Sequence, residues 1–143
     1  MVSRIFLDAN FILEFLLKRK NLQYTQKIFL EITNGRYQAF ITPSVLHIVA
    51  HWITKEFGSR NAKKILLILL KDLQVIDCTH DTALNALNSR FDDIEDALQY
   101  YTALDYKIDV FLSFDKKLAK DAIPQLPVLN PIDFLTNSPG SEV

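Results

Sequence analysis

Three acidic groups at distant positions in the sequence have the residue types and the local context of a metal-binding acidic site. Asp8 ends the stretch IFLD and Asp115 ends the stretch VFLSFD, so each follows an apolar run typical of a buried strand. The third acidic group is the segment DDIED, residues 92–96, at the predicted start of a helix. A carboxylate at the end of a buried strand is neither fully solvated nor cheaply buried. Such positions suggest a functional role.

Three converging carboxylates need compensation. At an effective dielectric of about 20, two like charges about 4 Å apart repel by roughly 4 kcal/mol, so a cluster requires a cation or a proton. Oxygen ligands without His or Cys favour Mg²⁺ or Mn²⁺. One or two such ions can turn a bound water into a nucleophile and stabilise a phosphoryl displacement. That is the chemistry we predict for Asp8, Asp115 and the acidic segment at residues 92–96.

Each of these aspartates also has an ordinary structural explanation. Asp93 fits the N-cap of the helix that carries Asp96, and we favour capping over metal binding for Asp93 while keeping it as a candidate ligand. Asp96 could simply complement the helix dipole, and Asp8 and Asp115 could each begin a turn. The occurrence of both Asp8 and Asp115 at strand ends favours the functional interpretation.

The elements that must position these residues alternate between strand and helix. The patterns predict strands at residues 4–7, 37–41, 75–78, 110–113 and 127–129. They predict helices at residues 11–18, 22–33, 43–57, 59–73, 81–88, 93–104 and 115–120. Alternation of this kind implies parallel crossovers, and therefore a single three-layer α/β domain with a central parallel sheet flanked by helices. Functional groups of such sheets gather beyond the carboxyl ends of the strands, where Asp8 and Asp115 would meet the start of the helix carrying Asp96.

Length and composition limit the remaining possibilities. The 143 residues, 49% of them hydrophobic and 23% charged, predict one globular domain over residues 1–136 and a disordered tail at 137–143. The net charge of −1 provides no overall attraction for polyanions, so a nucleic acid would need local basic patches. One cysteine, an acid-interrupted N-terminus and the lack of a roughly 20-residue apolar run predict a cytoplasmic protein without a membrane span.

Two basic clusters and one apolar run are candidate interaction surfaces. Solvated surface charge and contacts with RNA phosphates explain the basic clusters equally well. The run ILLILL, residues 65–70, is apolar around the whole helix, and we favour a homodimer interface over deep core for it. The basic residues are Lys18, Arg19 and Lys20 in the first cluster and Lys116 and Lys117 in the second.

The order and spacing of five segments resemble the PIN-domain family of ribonucleases, which includes the VapC-type toxins of toxin–antitoxin pairs. The segments are IFLDANFIL, ITPSVLHIVAHW, DIEDALQYYTAL, FLSFDKKL and PVLNPIDFL, which together span nearly the whole chain. The resemblance implies a PIN-like fold and cleavage of RNA with Mg²⁺ or Mn²⁺. It also implies that Asp8, Asp96 and Asp115 are catalytic and that a cognate antitoxin is a partner.

One position departs from the family pattern. The family often reads L-H-E after the second strand, with the glutamate as a fourth acidic ligand, whereas this chain reads LHIV with Ile48 at that position. A catalytically weak or inactive PIN-like binding module is therefore the competing prediction. A receiver-like phosphoacceptor domain fits poorly, because the acidic pair and the late lysine that it needs are not evident. The groups that could support a metal-bound water instead of the glutamate are Asn10, Thr42, Ser44, Asp92 and Asp93.

Overall fold

The computed structural model describes residues 2–137. Five parallel strands form one sheet, and helices flank it, which confirms the predicted α/β class. The strands are β1 (Ser3–Leu7), β2 (Tyr37–Ile41), β3 (Leu73–Val75), β4 (Val110–Leu112) and β5 (Val128–Leu129). The helices are α1 (Ala9–Leu16), α2 (Leu22–Thr33), α3 (Pro43–Phe57), α4 (Ser59–Leu69), α5 (His80–Leu87), α6 (Ile94–Asp105), α7 (Lys116–Lys120) and α8 (Pro131–Asn137).

The first strand lies in the middle of the sheet, whose strand order is β3-β2-β1-β4-β5. Its residues Ile5, Phe6 and Leu7 are completely buried. The Phe6 ring stacks on that of Phe111 in β4, with 4.6 Å between the ring centroids. Burial on both faces explains why β1 reads as a continuous apolar run. The residue after β1, Asp8, is therefore the point at which the chain leaves the core.

The strand order reverses between β1 and β4. The chain builds β1, β2 and β3 in one direction and then returns to place β4 on the other side of β1. Parallel pairing sets Leu7 opposite Leu112, so Asp8 lies level with Ser113. Ligand sites of open α/β sheets form at such reversals, beyond the carboxyl ends of the strands. The fold therefore provides a crevice at the position of Asp8, directly after β1.

The third strand and the helix before it correct the sequence prediction. Helix α4 ends at Leu69 instead of residue 73, and β3 occupies residues 73–75 instead of 75–78. Leu73 is buried opposite Ala39, and Val75 pairs with Ile41. The local pattern assigned the apolar residue Leu73 to the helix, but in the structure it belongs to β3. The neighbouring strand, and not the local pattern, determines where pairing begins.

A helix that the sequence analysis did not predict follows the last strand. Asn130 precedes α8, and its side-chain Oδ1 accepts a hydrogen bond from the Ile132 N–H at 2.8 Å. Buried Phe134 packs against Tyr37 with 5.2 Å between the ring centroids. Asn137 therefore belongs to α8 and not to the predicted tail, and the other tail residues, 138–143, lie outside the described residues.

Tyr100 connects α6 to the segment that leads into β5. Its buried hydroxyl donates to the Leu126 carbonyl at 2.6 Å and accepts from the Ile123 N–H at 2.8 Å. Because this hydroxyl both donates and accepts a hydrogen bond, it fixes α6 relative to the segment that leads into β5. The helix that carries Asp96 is thereby held against the β4 and β5 half of the sheet.

The apolar run on α4 divides between core and surface. Leu69 is buried, whereas Leu67 and Ile68 are 68% and 65% exposed. The deep-core alternative is thus wrong for Leu67 and Ile68, which belong to a surface. No helix within residues 2–137 is long and apolar enough to cross a membrane.

Candidate functional site

Asp8 lies at the centre of the carboxyl edge, by which we mean the edge of the sheet formed by the carboxyl ends of its strands. Both of its carboxylate oxygens accept hydrogen bonds. It is the N-cap of α1, because its Oδ1 accepts from the Phe11 N–H at 2.9 Å. Its Oδ2 accepts from the Ser113 hydroxyl at 2.5 Å. Burial raises the pKa of Asp8 to about 6, although both hydrogen bonds favour the charged form, and the charge of Asp115 raises the pKa further. The site thus holds an oriented carboxylate that gains from a nearby cation.

Ser113 links Asp8 to Asp115. Its side chain is almost fully buried, and its Oγ accepts from the Asp115 N–H at 3.0 Å while donating to Asp8. Asp115 caps α7 by accepting from the Lys117 N–H at 2.9 Å. Sequence reasoning missed Ser113, although its place one residue beyond β4, level with Asp8, is a usable signal. One hydroxyl therefore positions the carboxylate of Asp8 and the backbone of Asp115.

Asp96 joins these two residues from the first turn of α6. Asp93 is the N-cap of that helix, since its Oδ1 accepts from the Asp96 N–H at 2.9 Å, which confirms the favoured capping role. Burial is the main cause that raises the pKa of Asp96 to about 6, followed by the negative charges of Asp93, Asp115, Asp8 and Glu95. Asp8, Asp96 and Asp115 thus form an electrostatically coupled group, which we call the acidic cluster.

The donor set of the acidic cluster fits a hard divalent cation. It consists of carboxylate oxygens from three elements, and repulsion among them favours a compensating charge. Within residues 2–137, no three His, Cys, Asp or Glu side chains lie close enough together to form a ready-made ligand set. Mg²⁺ commonly keeps several waters and binds through one or two carboxylates. The cluster is therefore compatible with an ion whose shell is completed by water.

The β2 side of the edge has a different character. Thr42 caps α3, since its buried hydroxyl accepts from the Val45 N–H at 3.3 Å and lies 3.0 Å from the Ser44 Oγ. Half-buried Ile48 packs against the core. Asn10 is exposed in the first turn of α1. Helix capping therefore uses the Thr42 hydroxyl, and the position of the family glutamate is apolar.

The two basic clusters differ in their relation to the carboxylates. Lys116 and Lys117 begin α7 directly after Asp115. Lys18, Arg19 and Lys20 follow the far end of α1, whose eight residues begin directly after Asp8 and extend roughly 12 Å away from it. Of the two basic clusters, only the pair on α7 therefore directly follows a residue of the acidic cluster.

The fold and the site together define a small α/β domain with an acidic cluster beyond the carboxyl ends of a parallel sheet. The model of the PIN domain family matches residues 4–117. The chain therefore belongs to the PIN-domain family, as its sequence segments predict. No curated protein sequence matches this chain.

Solved structures from several organisms have a similar fold. VapBC2 from Rickettsia felis, bound to a promoter DNA fragment, is 18% identical with a TM-score of 0.69, and the match covers 90% of this chain and 98% of that chain. VapC20 from Mycobacterium tuberculosis, a toxin that cleaves the Sarcin-Ricin loop, is 16% identical with a TM-score of 0.65 and coverage of 86% and 98%. DNA-bound VapBC from Salmonella typhimurium is 14% identical with a TM-score of 0.66 and coverage of 92% and 99%. Likeness at these identities concerns the fold.

Proposed function

We propose that the protein is a metal-dependent endoribonuclease whose site is formed by Asp8, Asp96 and Asp115. The observation that carries the proposal is the acidic cluster, in which burial and mutual repulsion raise the pKa values of Asp8 and Asp96 to about 6. Strongly shifted carboxyls in a crevice are typical of functional sites. Membership of the PIN-domain family and the likeness to an RNA-cleaving toxin support the same activity.

The residues of the site would either bind the metal ion or position the residues that bind it. Asp8, Asp96 and Asp115 would hold Mg²⁺ or Mn²⁺, with Asp93 as a further candidate ligand, and the bound ion would supply an activated water and charge stabilisation at the phosphate. Ser113 keeps the Asp8 carboxylate oriented through its 2.5 Å hydrogen bond. Asp93 fixes the start of α6, and so the backbone of Asp96.

Binding of the RNA backbone falls to basic residues. Lys116 and Lys117 stand beside the acidic cluster, where their ammonium groups can contact phosphates and fix the position of the strand. Lys18, Arg19 and Lys20 lie farther off and could contact only a more distant part of an RNA. Such contacts weaken steeply with salt and carry no sequence information.

We also propose that the protein acts in the cytoplasm as the toxin of a toxin–antitoxin pair. Two of the similar structures are VapBC complexes, so an antitoxin is the partner to expect. The exposed side chains of Leu67 and Ile68 on α4 supply apolar surface for a protein partner, either a second copy of the chain or the antitoxin. The product of a neighbouring small open reading frame is the first candidate to test by co-purification.

A second candidate function is binding without catalysis. The observation that favours it is Ile48, which leaves the usual position of the fourth acidic ligand apolar. The lack of a ready-made three-residue ligand set among the described residues agrees with it. Such a module would retain the fold and its partners but would bind a divalent ion weakly.

Cleavage assays separate the two candidates. Mixed RNA is incubated with Mn²⁺ and the wild type, Asp8→Asn or the control Asp105→Asn, and again after addition of EDTA. Asn retains the N-cap of α1, so Asp8→Asn tests the carboxylate with the helix intact. Asp105 is an exposed aspartate at the end of α6. We expect EDTA-sensitive cleavage by the wild type and Asp105→Asn alone, whereas equal activity in all three proteins, or none, contradicts the nuclease.

A further inference from the structure

A pocket of about 230 Å³ opens directly beside the acidic cluster, among the ends of β4 and β5 and the helices α7 and α8. Ser113 and Asp115 form part of its wall, so the pocket is continuous with the proposed catalytic site. Asn130 and Asp133 form another part, and the proposed catalysis uses neither of them. The pocket therefore presents polar groups that need another explanation.

Asn130 is held with its amide group available. Its Oδ1 accepts from the Ile132 N–H at 2.8 Å, which fixes the orientation of the side chain. The pairing of Leu112 with Leu129 places Asn130 level with Ser113, one position farther along the edge from Asp8. The Asn130 side-chain NH₂ thus remains a pair of donors without a hydrogen-bond partner among the described residues.

Asp133 supplies the complementary acceptor. It is exposed in the first turn of α8, and its carboxylate has neither a hydrogen bond nor an ion pair within residues 2–137. An ionised carboxylate only accepts hydrogen bonds, and it accepts two neighbouring N–H groups especially well. The polar wall of the pocket therefore offers donors from Asn130 and a double acceptor from Asp133.

Much of the remaining wall is apolar, and the pocket is small. Half-exposed Phe114 lines it together with Val128 and Leu129. A volume of about 230 Å³ is below the roughly 300–1,000 Å³ of pockets for drug-sized ligands, and it suits one planar ring system. Aromatic and aliphatic walls are the usual surroundings of an unstacked RNA base.

We propose that this pocket takes one base of the RNA next to the cut and selects guanine. This inference rests on the proposed nuclease function, since it makes the pocket a subsite of the same site. Guanine is the RNA base with two adjacent N–H donors on its pairing edge, N1–H and N2–H, which match the Asp133 carboxylate. Its O6 accepts from the Asn130 amide. Lys116, which also lines the pocket, would bind a phosphate of the bound nucleotide.

Binding of nucleotides tests the pocket without any cleavage. The ¹⁵N-labelled full chain is titrated with GMP, AMP, CMP or UMP, and the amide signals of the pocket residues are followed by NMR. We expect GMP to shift these signals and to bind about tenfold more tightly than the other three, which is the discrimination of one good bidentate pair. Equal binding of all four nucleotides, or shifts located elsewhere, overturns the proposal.

Two variants and a matched control locate the selectivity. Asp133→Asn should bring GMP binding down to the level of the other nucleotides. Asn130→Asp retains an oxygen for the Ile132 N–H but loses the amide donor, so it should weaken GMP binding while α8 still forms. The control is Asp81→Asn, an exposed aspartate in the first turn of α5, as Asp133 is in α8. An unchanged GMP preference in Asp133→Asn also overturns the proposal.

RNA cleavage provides the second readout and separates the two proposals. Short RNAs that differ in a single base are cut by the wild type, Asp133→Asn and Asp81→Asn. Preference for a guanine beside the cut, lost only in Asp133→Asn, supports the pocket. Cleavage that ignores the neighbouring base overturns the pocket and leaves the nuclease standing. Selective GMP binding by a chain that cuts no RNA supports guanine selection by the pocket and overturns the nuclease, and with it the position of the base beside a cut.

Discussion

The two halves of the carboxyl edge use the same kinds of polar residue for different purposes. On the β4 side, the Ser113 hydroxyl donates to the carboxylate of Asp8 and accepts from the backbone of Asp115. On the β2 side, the Thr42 hydroxyl accepts from the backbone of Val45 and caps α3. One hydroxyl therefore orients a charge, and the other begins a helix.

The difference teaches that residue type alone does not identify a functional polar group at a strand end. Thr42 and Ser113 both follow buried strands that pair with β1, and both are buried themselves. What separates them is the neighbour: Ser113 lies level with Asp8 at the reversal of strand order, and Thr42 is followed by Pro43 and a helix. The hydrogen bonds that orient the acidic cluster accordingly come from the β4 side.

Loss of the Asp115 charge should have the largest effect. Asp115→Asn retains the cap of α7 but removes a proposed ligand, and we expect Mn²⁺-dependent RNA cleavage to fall by at least about 100-fold, since even partners of metal ligands are worth about 10–100-fold. Initial rates at saturating Mn²⁺ measure this. Asp121→Asn, at the other end of α7, is the control and should cleave like the wild type. Matching rates in the two variants would contradict the role of Asp115.

Removal of the Ser113 hydroxyl tests the comparison itself. Ser113→Ala frees the Asp8 carboxylate, and we expect cleavage to fall by about 10–100-fold. Ser44→Ala removes a serine hydroxyl from the β2 side and should change the rate less than about twofold. A similar loss in both variants would show that the two halves of the edge do not differ as we describe.

The metal-free protein should become less stable as the pH rises. The folded pKa of Asp8 is about 6 against 3.8 as the ordinary value, so between these values the folded state binds more protons than the unfolded state, and stability falls with rising pH through that window. The full shift corresponds to at most about 3 kcal/mol, and solvent screening reduces it. Asp96, whose pKa is also raised to about 6, contributes with the same sign.

Urea unfolding in EDTA at pH 5 and pH 7.5 measures this dependence. Asp8→Asn should be more stable than the wild type at pH 7.5, by about 1–2 kcal/mol, and by about half as much at pH 5, which lies between the two pKa values. Mn²⁺ competes with these protons, so its affinity should rise from pH 5 to pH 7.5. If the wild type instead gains stability relative to Asp8→Asn as the pH rises over this range, the predicted sign of the pH dependence is wrong.

A glutamate in place of Ile48 should give the β2 side of the edge a carboxylate that can bind the metal ion. Ile48→Glu places a carboxylate on the first half of α3, and we expect Mn²⁺ to bind about tenfold more tightly, or about 1.4 kcal/mol. Calorimetry measures the affinity. Ala50→Glu, two residues farther along and so on another face of the helix, adds the same charge and should leave the affinity unchanged. No gain in Ile48→Glu would mean that α3 does not face the metal.

The smallest effect is expected at Thr42. Thr42→Val removes the cap of α3 and should lower the free energy of unfolding by about 1 kcal/mol, while Thr42→Ser retains the cap and should cost less. Mn²⁺ affinity should be the same in both variants and the wild type. A change in affinity in Thr42→Val alone would give Thr42 the supporting role at the metal that its position first suggested.

Much of the fold follows from local patterns. The buried run before Asp8, the Thr42-Pro43 helix start and the cap at Asp93 each depend on nearby residues, and the structure contains each of them. The boundary between α4 and β3 was wrong because Leu73 suits a helix as well as a strand, and the pairing with Ala39 decides between them. Helix α8 was missed, although Asn130 and Pro131 carry ordinary start signals.

The sequence by itself determined which residues could do chemistry, because a carboxylate directly after an apolar run is a local feature. Tertiary structure decided which of them meet. The reversal of strand order sets Ser113 against Asp8, and α6 brings Asp96 within the influence of both Asp8 and Asp115. It also separated Lys18 from the carboxylates and opened the pocket beside Asn130. The physical reason is that hydrogen bonds and charge repulsion act over a few ångströms of space, irrespective of separation along the chain.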